Sequence, residues 1–291
     1  MTYGLELAGD NATWFFETGH LRIVYRGGLR ASGLLKKLGE RTVPDVAIAE
    51  VAVTADRKTT TLQLRLRPGA CPYLEAAGGQ LPDRGDPYRL VVPASNRDLA
   101  EHYGEDIRTR ISLNPDAGLP APRFLLAAPA VPCRIRGYDS NVSFDGRVVL
   151  FEPIVGEAHP QKQAAGPRSV PIGSVLGLDW ATPAGGGGHL RLRTTDAPEY
   201  SLGPEVDPYA VTFGLGAGMT AESLPFAAAV LAAIPAQGQA EPPAVGPAGA
   251  SLTATADEVV GAIRKLGELR DLGLLTEEEF SAKKAELLGR L

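Results

Sequence analysis

The amino-acid sequence predicts a mainly β fold with some α: two tandem β-sandwich or barrel domains, each closed by a C-terminal helix, then a C-terminal two-helix hairpin. The chain of 291 residues is longer than a single hydrophobic core usually serves, and its short motifs occur twice. Its 34 glycines and 24 prolines, beside 44% hydrophobic residues, favour short strands joined by many turns. The end of the chain has a strong helical period. We therefore expect repeat 1 at 1–118, repeat 2 at 119–235, a flexible linker at 236–256 and the hairpin at 257–291.

A tandem duplication accounts for most of the chain, because five short motifs recur in the same order in both halves. The spacing between partners changes by only a few residues, and these changes fall in turns rich in glycine and proline. Chance matches would not keep this order. The matched motifs are FE at 16–17 and FD at 144–145, GHL at 19–21 and GRV at 146–148, RTVP at 41–44 and RSVP at 168–171, LRLR at 64–67 and at 190–193, and DPY at 86–88 and at 207–209.

Each copy is predicted to run through the same series of strands and turns. Period-two alternation is clearest at Leu62, Leu64 and Leu66, which share one face of a strand. We expect that face to be core and the opposite face to be exposed to solvent. The arginines of the opposite face, Arg65 with Arg67 and Arg191 with Arg193, are expected to support solubility or contact between domains rather than to bind a ligand.

A helix is predicted after the last strand of each copy. The first lies near 96–111, with Leu99, Tyr103 and Ile107 on one face, and the second lies near 221–234. A bent antiparallel sheet of about seven strands, closed by a C-terminal helix, is the arrangement of pleckstrin-homology (PH) domains. Such a helix buries apolar surface that the sheets alone leave open. Each copy is therefore expected to be PH-like.

The sequence changes character beyond residue 235. Residues 236–256 have no hydrophobic period, so they are expected to form a tether. An apolar stripe then ends at Gly273, and Thr276 with Glu279 forms a capping box that starts a second helix. Two such helices bury too little apolar surface to be stable alone, so we expect the hairpin to bind a partner protein or further copies of itself. Its predicted contact residues are Ile263, Leu266, Leu269, Leu272, Leu275, Phe280, Leu287 and Leu288.

Two family resemblances follow from these motifs. Residues 263–288 resemble the SHOCT (short C-terminal) family in their glycine turn, capping box and closing leucines. The duplicated part resembles an actinobacterial tandem PH-like family described as domain of unknown function 4429. The resemblance implies the fold and the domain order, but no settled activity. Its carriers are Gly9, Thr13, Phe16, Gly19, Val43, Pro44 and Asp86–Tyr88 in repeat 1, with Gly137, Ser143, Phe144, Gly146, Val170, Pro171 and Asp207–Tyr209 in repeat 2.

Charge and cysteine content argue against several function classes. With 29 basic and 34 acidic residues and a net charge of −5, the chain has no overall field that attracts nucleic acid. Cys71 and Cys133 form no CxxC pair, so we expect neither a disulfide scaffold nor a zinc site. We see no secretory signal and no stretch as long as a membrane span. We therefore expect a cytoplasmic protein, with peripheral attachment to a membrane as the alternative.

The sequence offers no catalytic or cofactor motif. Its four histidines, His20, His102, His159 and His189, fall in different predicted elements, and none has a second ligand at metal-binding spacing. It contains no serine-nucleophile elbow, phosphate-binding loop or dinucleotide fingerprint. We therefore expect no catalytic, cofactor-binding or metal-binding residues, and no enzyme activity.

One basic segment stands out in repeat 1. Arg26, Arg30, Lys36, Lys37 and Arg41 fall in one loop region with a single acidic residue among them. PH-type domains bind acidic lipid headgroups through such loops, so this segment is a candidate site for an anionic membrane surface or another anion. The alternative is a solvated loop. The corresponding stretch of repeat 2 is much less basic, which confines any such site to repeat 1.

The leading hypothesis is a non-enzymatic interaction or scaffold protein. The PH-like repeats would bind a partner protein, and the tethered hairpin would oligomerise or recruit. Peripheral binding of anionic lipid through repeat 1 is the alternative.

Overall fold

The computed structural model describes residues 5–28, 31–185, 187–197, 202–214 and 219–234. The chain divides into two units, Met1–Gln239 and Ala240–Leu291. All described residues belong to the first unit, which contains both repeats. The predicted linker and hairpin lie outside the described residues.

Repeat 1 begins with a hairpin of short strands and ends with its longest helix. Within the described residues its elements are β1 Glu6–Ala8, β2 Ala12–Glu17, β3 His20–Tyr25, α1 Gly33–Leu38, β4 Glu40–Pro44, β5 Ile48–Ala55, β6 Thr59–Leu66, α2 Pro72–Ala77, β7 Arg89–Pro93 and α3 Arg97–Ser112.

Repeat 2 follows the same order, except that it has no counterpart of α2 among the described residues. Its elements are β8 Cys133–Arg136, β9 Ser140–Phe144, β10 Val148–Pro153, α4 Pro160–Ala165, β11 Arg168–Pro171, β12 Val175–Ala181, β13 His189–Thr194, β14 Ala210–Thr212 and α5 Thr220–Ala233.

Two antiparallel sheets form each repeat. The strand orders are β1-β2-β3-β4 and β5-β6-β7 in repeat 1, and β11-β10-β9-β8 and β12-β13-β14 in repeat 2. The two sheets of a repeat stay separate in the described chain, so each repeat is an open sandwich. The mainly β fold class is confirmed, whereas the closed barrel that the prediction also allowed is wrong.

Two equivalent glycines let the sheets of each sandwich approach closely. A Cβ atom at Gly9 would overlap the carbonyl oxygen of Val91 in β7. At Gly137 it would overlap the side chain of Val211 and the carbonyl oxygen of Thr212, both in β14. Each glycine lies where the first turn of a repeat crosses its last strand, so the crossing itself requires the missing side chain.

The predicted match between the two LRLR motifs is wrong by two residues. The backbone N–H of Leu64 donates to the carbonyl oxygen of Tyr88, and that of Leu192 donates to Tyr209, both at 2.9 Å. Since the two tyrosines are equivalent, Leu64 corresponds to Leu192 and not to Leu190. The two copies of this strand therefore carry different residues at several inward and outward positions.

Two of the four arginines predicted to face solvent are buried. Arg67 is 6% exposed and Arg191 is 7% exposed. Arg67 donates to the carbonyl oxygens of Leu119 at 2.8 Å and Pro120 at 3.1 Å, and Arg191 donates to Oδ2 of Asp207 at 2.9 Å. These oxygen acceptors offset the cost of removing a cation from water. The other two arginines of the motifs are exposed, as predicted.

The two closing helices pack in different ways. α3 lies against β5 and β6 of its own repeat and buries Tyr103 and Ile107 on one side. α5 packs against β8 and β12 of repeat 2, and also against α1 and α2 of repeat 1. Its buried residues lie on every side of the helix, which explains a sequence that is apolar all round. α5 therefore joins the two repeats.

Candidate functional site

The structure separates the basic residues that were predicted to bind an anion. Arg26 is exposed after β3 and lines one cavity, whereas Lys37 is exposed on α1 and lines another. Lys36 is exposed beside Lys37, but Arg41 is buried in β4. Arg30 lies outside the described residues. The four described residues therefore do not form one cluster.

The cavity beside Arg26 has a volume of about 880 Å³. It opens between the β1–β2 turn, the segment after β3 and the segment before β7. Arg26 and Arg84 are exposed there and make no ion pair within the described chain, while Arg89 pairs with Asp83 at 3.4 Å. Asp10 is the other acid of the lining. Three guanidinium groups thus face two carboxylates, which leaves a lining of net positive charge.

In repeat 2 a lysine of the chain itself occupies the matching position. Lys162, the third residue of α4, corresponds to Leu35, the third residue of α1, and is 1% exposed. Its ammonium group lies 2.7 Å from Oδ2 of Asp139 and donates to the carbonyl oxygens of Pro204 at 3.0 Å and Ala210 at 2.9 Å. Three acceptors use the three donors of the ammonium group.

The residue that faces this position also differs between the copies. The side chain of Asn11 accepts a hydrogen bond from the N–H of Val91 at 3.0 Å. At the equivalent place, Oδ1 of Asp139 accepts from the N–H of Thr212 at 3.0 Å, while its other oxygen binds Lys162. Both side chains tie the first sheet to the last strand. In repeat 1 the neutral Asn11 lies beside an open cavity. In repeat 2 the charged Asp139 is paired with the ammonium group of Lys162, which occupies the matching position.

Arg41 belongs to the interior and not to an exposed anion site. It donates to the carbonyl oxygen of Ala127 at 2.9 Å, and its guanidinium lies 4.7 Å from the ring centroid of Tyr73. Its Nη2 is 3.8 Å from Sγ of Cys71, which is 3.0 Å from the hydroxyl of Tyr88. Burial raises the pKa of Tyr88 well above its usual range, so that hydroxyl stays protonated. Arg41 fastens the segment that connects the repeats, which removes it from the predicted set.

The junction between the repeats includes a side chain that the sequence did not single out. Nε2 of Gln80, just after α2, donates to the carbonyl oxygen of Trp180 at 2.8 Å, and its Oε1 accepts from the N–H of Thr182 at 3.0 Å. The Trp180 indole donates to the hydroxyl of Ser223 in α5 at 3.0 Å. The sequence around Gln80 has no signal for this contact, because its partners belong to the other repeat. The one sequence signal for the junction is that α5 is apolar on every side.

Two histidines of the described chain each pair with one acid, in different repeats. His20 lies 2.8 Å from Glu17, and His189 lies 2.9 Å from Asp179. Across the described ranges no three histidine, cysteine or acidic side chains group as metal ligands. Burial raises the pKa of the Cys133 thiol to about 11. Among the described helices, none combines the length and apolar character needed to cross a membrane.

The predicted contact residues of the hairpin all lie outside the described residues. Their role stays a prediction from the sequence. They are Ile263, Leu266, Leu269, Leu272, Leu275, Phe280, Leu287 and Leu288.

Two family models match the chain. The model described as Domain of unknown function (DUF4429) matches residues 14–108 and again residues 142–231, one segment in each repeat. The model described as Short C-terminal domain (SHOCT) matches residues 262–288. No curated protein matches the chain. Because the two DUF4429 segments together cover more than half of its length, the chain belongs to the DUF4429 family, with the domain in tandem and a C-terminal SHOCT domain.

Proposed function

We propose that this protein is a non-enzymatic interaction protein, in which the two repeats form one body and the C-terminal hairpin oligomerises or recruits. The observation that carries the proposal is α5, which is buried between the repeats and packs on elements of both. A joined pair of sandwiches presents binding surfaces at fixed distances from one another, as a scaffold requires. The match at residues 262–288 supports a separate module beyond this body.

A PH-like identity of the repeats is part of the same proposal. Each repeat combines a four-stranded with a three-stranded antiparallel sheet, and a helix follows the last strand. This arrangement supports the resemblance to PH domains. In that fold the core is buried between two small sheets, so the loops and the edge strands are left to bind partners.

The hairpin is proposed to act through its apolar stripe. Residues 257–291 are fewer than about 40, the size below which a chain usually needs a metal, a disulfide or a partner in order to fold. Association with other hairpins or with a partner protein would supply the missing contacts. A flexible linker would then hold the body close to whatever the hairpin binds, and so raise its effective concentration there.

Light scattering on the full chain and on a chain ending at residue 256 tests this proposal. We expect the full chain to form an oligomer, or to capture a defined partner, and the truncated chain to do neither. Exchanging Leu266 and Leu269 for aspartate should have the same effect as truncation, while Lys265→Asp on the polar side should not. Equal masses together with unchanged partner capture would refute the role of the hairpin.

A second candidate function is binding of a phosphate-bearing anion in the cavity of repeat 1. The specific observation is that Arg26 and Arg84 line it without an ion pair in the described chain. Sedimentation with phosphatidylserine vesicles, and titration with inositol hexakisphosphate, distinguish a membrane source from a free one. Joint Arg26→Glu and Arg84→Glu exchange should abolish binding, and Arg57→Glu in the exposed β5–β6 turn should not. No binding of either probe would refute this candidate.

A further inference from the structure

One edge strand of repeat 2 is already covered from within the chain. β12 is the outer strand of its three-stranded sheet. The amide group of Gln80 donates to the carbonyl oxygen of Trp180 and accepts from the N–H of Thr182, as a residue of a neighbouring strand would. α2, which precedes Gln80, packs on the same strand. Repeat 1 thus shields an edge that would otherwise expose unpaired backbone groups.

The equivalent edge of repeat 1 is β5. Trp180 pairs with Leu190, and Val53 pairs with Leu62, at matching places in the two sheets. Val53 and Ala55 are therefore the counterparts of Trp180 and Thr182. β5 is again the outer strand, but in the described chain no strand lies beside it and no counterpart of Gln80 bridges it.

The backbone geometry identifies the groups that β5 turns outward. The N–H of Asp56 donates to the carbonyl oxygen of Thr59 at 2.8 Å, so these two residues form a hydrogen-bonded pair. Bonded and non-bonded pairs alternate along an antiparallel ladder. Val51, Val53 and Ala55 are consequently in non-bonded pairs with β6, and their N–H and C=O groups point away from it.

A groove of about 470 Å³ lies along this edge, between β5 and the exposed side of α3. Val53 and Ala55 line one wall, and Asp98 and Glu101 lie on the other. Both acids are exposed and make no ion pair within the described ranges. Glu105, further along α3, pairs with Arg108. The wall formed by α3 is therefore net acidic. The wall formed by β5 has backbone N–H and C=O groups that point away from β6.

We infer that the groove between β5 and α3 binds an extended, basic segment of a partner protein, which adds a fourth strand at the edge of the β5-β6-β7 sheet. Backbone pairing would supply affinity, and lysine or arginine side chains near Asp98 and Glu101 would supply selectivity. The covered edge of β12 is the internal precedent, because the same backbone positions in repeat 2 are bound there. This inference rests on the proposed interaction function and names the surface and the partner chemistry for repeat 1.

The experiment uses random decapeptides displayed on phage, selected on the full chain. We expect enrichment of peptides without proline that carry basic residues at alternate positions. One enriched peptide, made synthetically and labelled, should bind less tightly as salt is raised. Binding should slow hydrogen exchange at the amides of Val51, Val53 and Ala55 but not at Ala52 and Thr54, whose amides already face β6.

Two variants with matched controls test the geometry. Ala55→Pro removes one outward N–H from an edge strand and should weaken peptide binding at least about tenfold, whereas Ala55→Ser should not. Joint Asp98→Lys and Glu101→Lys exchange should abolish selection for basic peptides. The control Glu157→Lys, an exposed acid of repeat 2, should leave that selection unchanged.

Several results would overturn the inference. These are a selection without basic peptides, binding that survives Ala55→Pro, or protection that does not alternate along β5. An oligomer of the full chain that dissociates on Ala55→Pro would mean that a second copy fills the groove, which also contradicts it. The light-scattering tests of the hairpin do not depend on the groove. A negative result at the groove would therefore refute this inference without refuting the proposed interaction function.

Discussion

Replacing Lys162 with leucine tests the asymmetry between the two repeats. The change leaves the carboxylate of Asp139 and the carbonyl oxygens of Pro204 and Ala210 without the ammonium group that they share. Removing one partner of a buried ion pair costs about 3–5 kcal/mol. Leucine is the residue at the equivalent position of repeat 1, where Leu35 is 3% exposed. We expect Tm to fall by roughly 6–20 °C for a body of this size.

A double variant separates the charge from the packing. Lys162→Leu together with Asp139→Asn reproduces the uncharged pair of repeat 1 and removes the buried carboxylate. We expect it to recover at least about half of the lost free energy of unfolding, as a double-mutant cycle would measure. Urea unfolding followed by tryptophan fluorescence reports on both repeats, because Trp14 lies in one and Trp180 in the other. A loss below about 1 kcal/mol for the single variant, or no recovery in the double, refutes the reasoning.

Three further predictions concern the junctions of the fold. Gly137→Ala should lower the free energy of unfolding by about 1–3 kcal/mol through overlap with β14, whereas Gly27→Ala, where a Cβ would meet no atom within 4 Å, should change it little; equal effects in urea unfolding would contradict this. Gln80→Ala should cost about 1 kcal/mol and speed hydrogen exchange at Thr182; unchanged exchange would count against the bridge. Iodoacetamide should alkylate Cys133 slowly near pH 8 and faster as the pH approaches 11, because burial keeps the thiol protonated; a rate that levels off near pH 9 would contradict the raised pKa.

The raised pKa of Cys133 also gives a sign for stability. The unfolded thiol loses its proton near pH 9, while the folded thiol keeps it to about pH 11. Above pH 9 the folded state therefore binds more protons than the unfolded state, and the free energy of unfolding falls as the pH rises. Cys133→Ser should make the free energy of unfolding, measured in urea, fall less steeply between pH 9 and 11. An equally steep fall in this variant would mean that other titratable groups cause it.

The duplication and the sandwich class could be read from the sequence because both depend on local signals. Repeated motifs survive as short strings, and alternation such as that of Leu62 and Leu64 reflects the pleat of a single strand. The predicted helices near 96–111 and 221–234 agree with α3 and α5 for the same reason. Each is recognised from apolar residues within one short segment, on one side of α3 and along most of α5. No partner from a distant segment is needed to recognise any of them.

The placement of cations could not be read in this way. Arg41, Arg67 and Lys162 are buried because carbonyl and carboxylate oxygens from distant segments converge on them. The acceptors of Lys162 at Pro204 and Ala210 lie 42 and 48 residues further along the chain, beyond any window of hydrophobic periodicity. Counting charge in the basic loop therefore overestimated the exposed positive surface of repeat 1.

The open groove along β5 has no sequence signature of its own. Edge and central strands of a half-buried sheet show the same alternation, so only the strand order distinguishes them. The acids of α3 look like the ordinary polar side of a helix. Their importance comes from lying opposite Val53 and Ala55, which the topology decides.

The central position of α5 has a consequence for synthesis on the ribosome. The last helix of repeat 1, α3, ends at Ser112, whereas α5 begins at Thr220, roughly 100 residues later. At about 5–20 residues per second, roughly 5–20 s pass before the helix that covers α1 and α2 emerges. During that interval the apolar side of α1 and α2 is exposed in repeat 1. The nascent chain therefore presents a site for chaperones until α5 packs on those two helices.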